Sequence, residues 1–197
     1  STFRMNNFTI YFQIGFQHIM NVGALDHILF MAALALRYNF SDWKRLLILV
    51  TAFTIGHSIT LALAVFNLIH FPKSFIELLI ALTIIIAVIY NLIAKKSSHS
   101  SKITLIYFFT LCFGLIHGMG FASEFVALEG KSIGTAFNIL FANVGIEVAQ
   151  LIFATTVLII SFICLSVFKL KQREYSLFSN GIIFGLALQM VLARLPF

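Results

Sequence analysis

The sequence predicts an all-α integral membrane protein, with six transmembrane helices in one bundle and a short N-terminal interfacial helix. Three observations carry that prediction. Of the 197 residues, 60% are hydrophobic and only 10% charged, whereas a soluble domain carries roughly 45–50% apolar and about 25% charged residues. Mean hydropathy is +1.02. The apolar residues also fall into long runs separated by short charged or polar connections, and a helix of about 20 apolar residues crosses a bilayer. Six such runs consume the chain, so a single transmembrane domain over residues 1–197 is expected.

Residues 7–19 read as the short interfacial helix, packed against the bundle, with Gly23 marking a bend into a first span at about 20–38. Asp42-Trp43-Lys44-Arg45 forms a charged turn whose Trp suits the membrane–water boundary. The second span, about 45–69, is expected to end at Phe71-Pro72-Lys73, because proline cannot continue a helix. His70, just before it, is placed at the interface. A third span follows at about 74–94. Lys95 to Lys102 is a polar, low-complexity connection in which His99 is expected to be solvated. The fourth span, about 103–127, is rich in glycines that let backbones approach closely. The fifth, about 134–168, exceeds a straight crossing and must tilt or protrude. The sixth runs at about 176–194. No A-x-A-like cleavage site follows Ser1 to Asn7, so insertion is expected to be directed by the first span.

Charge placement sets the orientation. Arg37, Lys44, Arg45, Lys95, Lys96, Lys102, Lys169, Lys171 and Arg173 lie on one side, and only Arg4, Lys73, Lys131 and Arg194 on the other. The positive-inside rule puts the first side in the cytoplasm and both termini outside. The net charge of +6 therefore reports topology, and no nucleic-acid partner is expected. Cys112 and Cys164 lie deep in apolar runs; they read as small buried hydrophobes rather than a disulfide framework.

Against this background the polar residues inside the spans stand out. Ionisable groups in a membrane segment are costly, so they pair with one another, face a cavity or serve function. His18, Asp26, His27, His57, His117, Glu124 and Glu147 all fall in the outer half or near the midplane of their segments. His117 and Glu124 are two helical turns apart, and Asn143, Glu147 and Gln150 follow i, i+4, i+7 on one face. Thr54, His57 and Thr60 share a side of the second span, with Ser58 beside them. Hydrocarbon offers such stripes no partners, so each must face protein or water.

Imidazoles with carboxylates are the donor set of a divalent transition metal: nickel, cobalt, zinc, copper or iron. Asp26 suits a supporting role, fixing the tautomer of a histidine. A single intramembrane histidine is more often a hydrogen-bonded packing residue, but four with three acidic residues at matched depth favour a metal or proton path. Glu77 fits equally well as a charge at a helix N-terminus. Met20, Met31 and Met119 read as core rather than soft ligands, the 23 phenylalanines as packing and lipid-facing bulk. Axial haem ligation by a histidine pair is a further chemistry open to this set.

At these residues the chain resembles the HupE/UreJ family of small membrane proteins. The resemblance lies in Gly15-x-x-His18-Ile19, Asp26-His27-x-Leu29-Phe30, Phe53-Thr54-x-x-His57-Ser58-x-Thr60, Glu77-x-x-Ile80-Ala81, Phe113-Gly114-Leu115-x-His117-Gly118-x-Gly120-Phe121-Ala122 and Asn143-x-Gly145-x-Glu147-x-x-Gln150. It implies nickel or cobalt uptake linked to hydrogenase and urease maturation. It also implies a bacterial inner (plasma) membrane location, both termini periplasmic, with His18, Asp26, His27, His57, His117 and Glu147 handling the metal. The expected function is thus a permease for a divalent transition metal rather than an enzyme. Its partners would be the lipid bilayer, the ion and either a second copy or a metallocentre-maturation protein. No G-x-x-x-x-G-K-[ST] loop occurs, so ATP could act only through a partner. Two rivals remain: an intramembrane metal-dependent hydrolase with Glu124 or Glu147 as general base, although H-E-x-x-H spacing is missing, and a non-transporting metal-binding subunit.

Overall fold

The computed structural model describes residues 2–21, 25–93, 103–129 and 135–195. Within them all regular structure is helical: α1 (Thr2–Met20), α2 (Leu25–Ala35), α3 (Trp43–Val65), α4 (Lys73–Ile93), α5 (Ile103–Glu129), α6 (Thr135–Phe162) and α7 (Gln172–Arg194). Helices α3 to α7 have between 21 and 28 residues, about 31–42 Å at 1.5 Å per residue. Each is long and apolar enough to cross a bilayer. Helix α6 continues into a π-helical turn, Ile163–Val167, and this longest segment must tilt or protrude as expected. The chain is therefore a multi-pass membrane protein.

The bundle is apolar outside, and inside it an apolar core encloses a smaller set of polar side chains. Phe178, Phe108, Phe137 and Ile93 are exposed on the outer surface, while His27, His57, His117, Gln150 and Asn180 are buried. The inward turn of these polar groups follows from the solvent, since lipid accepts Phe and Ile freely but leaves amides and imidazoles without partners.

The first span departs from a continuous helix over 20–38. Helix α2 has 11 residues, about 16 Å, short of the roughly 30 Å hydrocarbon core. It reaches spanning length only together with α1, which meets it at 73°. The expected bend at Gly23 and the solvated His99 both lie outside the described residues. Nor does α1 merely rest on the bundle. A Cβ on Gly15 would run into the Ala142 carbonyl of α6, and one on Gly145 of α6 into the Phe12 carbonyl of α1. The two backbones touch.

Helices α3 and α5 pack in the same way. A Cβ on Gly56 would meet the Leu111 carbonyl, one on Gly114 the Phe53 carbonyl, and one on Gly118 the His57 carbonyl and Thr60 hydroxyl. Gly114 and Gly118 are four residues apart, a G-x-x-x-G face of the kind that lets membrane helices approach closely.

The end of α3 also differs from expectation. The helix stops at Val65 because Asn67 takes the left-handed conformation (φ 62°), which asparagine tolerates. Leu68 N–H then closes back on the Leu63 carbonyl at 2.8 Å. Pro72 instead opens α4, its carbonyl accepting from Phe75 N–H at 3.1 Å and Ile76 N–H at 3.2 Å. His70 is exposed beside this turn, 3.0 Å from Asn67 Oδ1. At the other end of α3, Asp42 accepts from Arg45 at 3.2 Å, and Trp43 is exposed.

Glycine position decides the consequence of adding a methyl group. Gly114→Ala forces α3 and α5 apart, and overpacking of this kind costs about 1–3 kcal/mol. Gly185 on α7 has nothing within 4 Å of its would-be Cβ, and Gly185→Ala gains up to about 1 kcal/mol of helix propensity. Thermal unfolding in detergent should show a lowered midpoint for the first variant and an unchanged or raised one for the second.

Candidate metal centre

Four helices bring a histidine each to one region. His18 lies in the last turn of α1, His27 in the first turn of α2, His57 in mid-α3 and His117 in mid-α5. The close α3/α5 contact at Gly118, against the His57 carbonyl, sets His57 and His117 on adjoining backbones. The α1/α6 contact holds the other wall. Ring centroids are 4.7 Å apart for His18 and His27, 6.1 Å for His27 and His57, and 6.2 Å for His18 and His57. His117 stands behind His27 at 5.1 Å.

Hydrogen bonding fixes which nitrogens are free. His117 Nδ1 lies 2.8 Å from the Phe113 carbonyl; a carbonyl only accepts, so Nδ1 carries the proton and Nε2 keeps its lone pair. His27 Nδ1 lies 3.1 Å from Asp26 Oδ1, which also accepts the His27 backbone N–H at 2.9 Å. The carboxylate thus fixes the His27 tautomer and presents Nε2 inward. His18 Nδ1 is 3.6 Å from Glu124 Oε2.

What remains is unusual. Five buried ring nitrogens have no hydrogen-bond partner among the described residues: Nε2 of His18, His27 and His117, and both nitrogens of His57. Buried polar groups are ordinarily paired; one of the two nitrogens of neutral His57 carries a proton, and the concentration of lone pairs on the remaining four points to a ligand. One nitrogen each from His18, His27 and His57 lies within 4.8 Å of the others. Two nitrogens bound to one ion at about 2.1 Å each stand at most about 4.2 Å apart, so the trio needs only slight closure to share one. Neutral imidazoles of this kind suit nickel, cobalt, zinc or copper.

The remaining predicted residues divide. Asp26 backs His27 rather than entering the trio. Glu124 is largely exposed, its side chain 60% accessible, at the rim outside His18. Glu147 lies outside the three-histidine group; its Oε1 accepts from Thr51 at 2.7 Å, because its stripe on α6 faces α3 on the side of Thr51 and Thr54. Gln150 on the same stripe accepts from Thr54 Oγ1 at 3.0 Å. Asn143 is buried beside His57, its amide donating to Ile139 O at 2.8 Å and its Oδ1 left without a partner. Ser58 donates to the Thr54 carbonyl at 2.7 Å and Thr60 to the Gly56 carbonyl at 3.2 Å. Both hydroxyls are spent on their own helix, as is common for Ser and Thr in apolar helices.

Glu77 is no isolated helix-start charge. Arg194 Nη1 donates to its backbone carbonyl at 2.8 Å, and Arg194 Nε lies 3.9 Å from its carboxylate. The same guanidinium approaches Asp26 Oδ2 at 3.9 Å. Arg194 thus ties α7 and α4 to the carboxylate that orients His27. In the sequence it counted only toward topology, since nothing local shows which charge an arginine at a helix end will meet. Sequence reasoning also missed the aromatic walls. Phe121 stacks on His18 at 3.8 Å, and it could have been suspected from its place one turn after His117. On the other side, Phe53 lies 5.1 Å and Phe30 5.4 Å from the His117 ring, and Phe113 packs edge-on to Phe30 at 5.5 Å.

Fold and site together define a class: a polytopic helical membrane protein with unpartnered histidines gathered inside the bundle. Within that class the chain belongs to the HupE/UreJ family, whose model, described as HupE / UreJ protein, matches residues 2–195. No curated protein and no solved structure matches it.

The support from Asp26 can be measured. Loss of an orienting carboxylate behind a ligating histidine typically costs 10–100-fold in metal affinity. Asp26→Asn should weaken nickel or cobalt binding to about that extent in a competition titration with a chromophoric chelator, while His27→Ala removes binding altogether.

Proposed function

We propose that this protein is a membrane permease for a divalent transition metal ion, with nickel or cobalt the ions to which its family points. The observation that carries the reading is the trio His18, His27 and His57, the last two buried and the first nearly so, with one ring nitrogen each within 4.8 Å of the others. An ion entering past the exposed Glu124 meets His18 first and passes to His27 and His57. His117 offers a further nitrogen next to His27, and Asp26 supplies charge behind the site. On the positive-inside reading this entrance faces the periplasm of a bacterial inner membrane, with both termini on that side.

Below the histidines, Phe30, Phe53 and Phe113 form an apolar layer between the trio and the basic ends of the helices. Phe30 and Phe53 are buried and stacked at 5.2 Å. A hydrated ion does not cross such a layer, so release requires it to part. The close α3/α5 seam, with glycines rather than bulky side chains between the backbones, is the element suited to shift. Glu147, at the Thr51 end of α3, lies off the trio and is assigned no ligand role.

A water-activating metalloenzyme draws less support. Asp26 is engaged by His27 and Arg194, Glu147 by Thr51, and Glu124 faces His18 at 3.6 Å, which leaves none of the three predicted carboxylates free to serve as a general base. A non-transporting subunit shares the same site and differs only in flux.

Elemental analysis of the purified protein beside a His57→Ala/His117→Ala control tests the site. A transition metal present in the parent and lost in the control is the expected result. Uptake into proteoliposomes across a panel of divalent metals then tests transport. Tight binding without flux would assign a metal-holding subunit, while neither binding nor flux would return the histidines to packing. Phe30→Ala, which thins the apolar layer, should raise passive metal leak through the reconstituted protein.

A further inference from the structure

At the end of the bundle remote from the histidines, two cavities of opposite character adjoin. The first, about 430 Å³, lies among the C-terminal ends of α2, α4 and α6 and the N-terminal end of α7, and is lined by Arg37, Asn39, Asn91, Arg173, Tyr175 and Asn180 among others. Among the described residues no carboxylate lines it. Its floor is built rather than incidental. Asn91 Nδ2 donates to the Ala33 carbonyl at 2.6 Å and to Asn180 Oδ1 at 3.1 Å, and Tyr175 shares a 2.9 Å hydrogen bond with Ser161. Arg37 stacks over the Tyr90 ring at 4.6 Å. Among the described residues neither Arg37 nor Arg173 has a carboxylate within ion-pair distance; Asp42 is taken by Arg45 and Glu174 by Lys171. The N-terminus of α7 adds its unfilled amides, with no side chain capping it.

The second cavity, about 240 Å³, shares Arg37, Tyr38 and Asn91 with the first and continues from them as an apolar slot between α2, α4 and α5. It is walled by Phe30, Leu34, Ile86 and Phe109. Ile86, Tyr90 and Phe109 are exposed on the lipid-facing surface, so the slot opens sideways toward acyl chains.

A polar chamber with two unneutralised guanidiniums, joined at Arg37 to an apolar groove open to lipid, has the complementarity of an amphiphile with an anionic head. We propose that this end of the bundle binds an anionic phospholipid, its phosphate held between Arg37 and Arg173 and an acyl chain lying along the slot past Leu34 and Ile86. The location suits it. This is the end where the Lys and Arg of the connections concentrate, and basic pockets between helices on the cytoplasmic side are where acidic headgroups bind. Arg37 is ten residues beyond His27 on the same stretch of chain, about 15 Å along a helix, so the lipid site does not compete with the histidines and does not depend on their role.

Native mass spectrometry of the detergent-purified protein, titrated with phosphatidylglycerol or with phosphatidylcholine of the same acyl chains, tests this on the parent protein. Retention of phosphatidylglycerol at lower concentration is expected. Each arginine should contribute about fivefold to that preference. Arg173→Gln, on an exposed side chain, should lose one such factor, and Arg37→Gln/Arg173→Gln should bind the two lipids alike. Millimolar inorganic phosphate should not displace the bound phosphatidylglycerol. Equal retention of the two lipids by the parent protein would overturn the proposal. So would an undiminished preference in a folded Arg173→Gln protein. Displacement by phosphate alone would assign the chamber to a free anion and the slot to packing.

Discussion

Backbone contact between helices, made possible by missing side chains, is the constraint on which the interior depends. At Gly56, Gly114 and Gly118 helices α3 and α5 approach until carbonyls occupy the space of a methyl group. Gly15 and Gly145 do the same for α1 and α6. In hydrocarbon there is no water to expel between helices, so association relies on such close packing and on hydrogen bonds across the interface. Both pairs carry histidines or the amides that flank them. Thinning the seams with glycine thus determines how near the imidazoles stand.

Around that framework the polar groups sort by what can satisfy them. Thr51 and Thr54 meet Glu147 and Gln150, Asn91 meets Asn180, and Ser58 and Thr60 fall back on their own helix. The histidines are the main exception, with Asn143 Oδ1 and Gln150 Nε2 also unpaired nearby. Each of His27 and His117 gives one nitrogen to a protein acceptor and keeps the other free, while His57 gives neither. Five unmet ring nitrogens in one cluster call for a ligand, and a cation is the simplest satisfaction for the lone pairs among them.

The two ends of the molecule handle charge in different ways. At the histidine end, Arg194 is engaged by Glu77 and approaches Asp26, so its charge is locally balanced and serves to steady α2 against α4 and α7. At the opposite end, Arg37 and Arg173 line a chamber with no carboxylate among its described lining residues, the nearby Asp42 and Glu174 being paired with Arg45 and Lys171. One end gathers unpaired imidazole nitrogens and the other unpaired guanidiniums, with the apolar layer of Phe30, Phe53 and Phe113 between them.

The sequence by itself determined the solvent, the helical class, the approximate spans and the pool of residues from which a site could be drawn. These rest on composition and on one-dimensional spacing, both of which survive folding unchanged. A bend between α1 and α2 was legible, but hydropathy cannot report that α2 is too short to span without α1, because a bent pair and a straight span have the same composition. Nor could it tell that Asn67, rather than Pro72, ends α3, since that depends on one residue taking a left-handed conformation. Helical periodicity put Glu147 and Asn143 on one face of α6, but neighbouring positions on a face can meet different partners, and Glu147 was turned to Thr51 while Asn143 lies beside His57. Only the tertiary structure decided which three histidines come within reach of one another, that Asp26 stands behind His27 rather than in front of it, and that Arg194 reaches Asp26 from the far end of the chain. Those outcomes turn on the rotation of each helix about its axis and on how closely glycine lets two backbones meet, quantities that exist only once the helices are packed together.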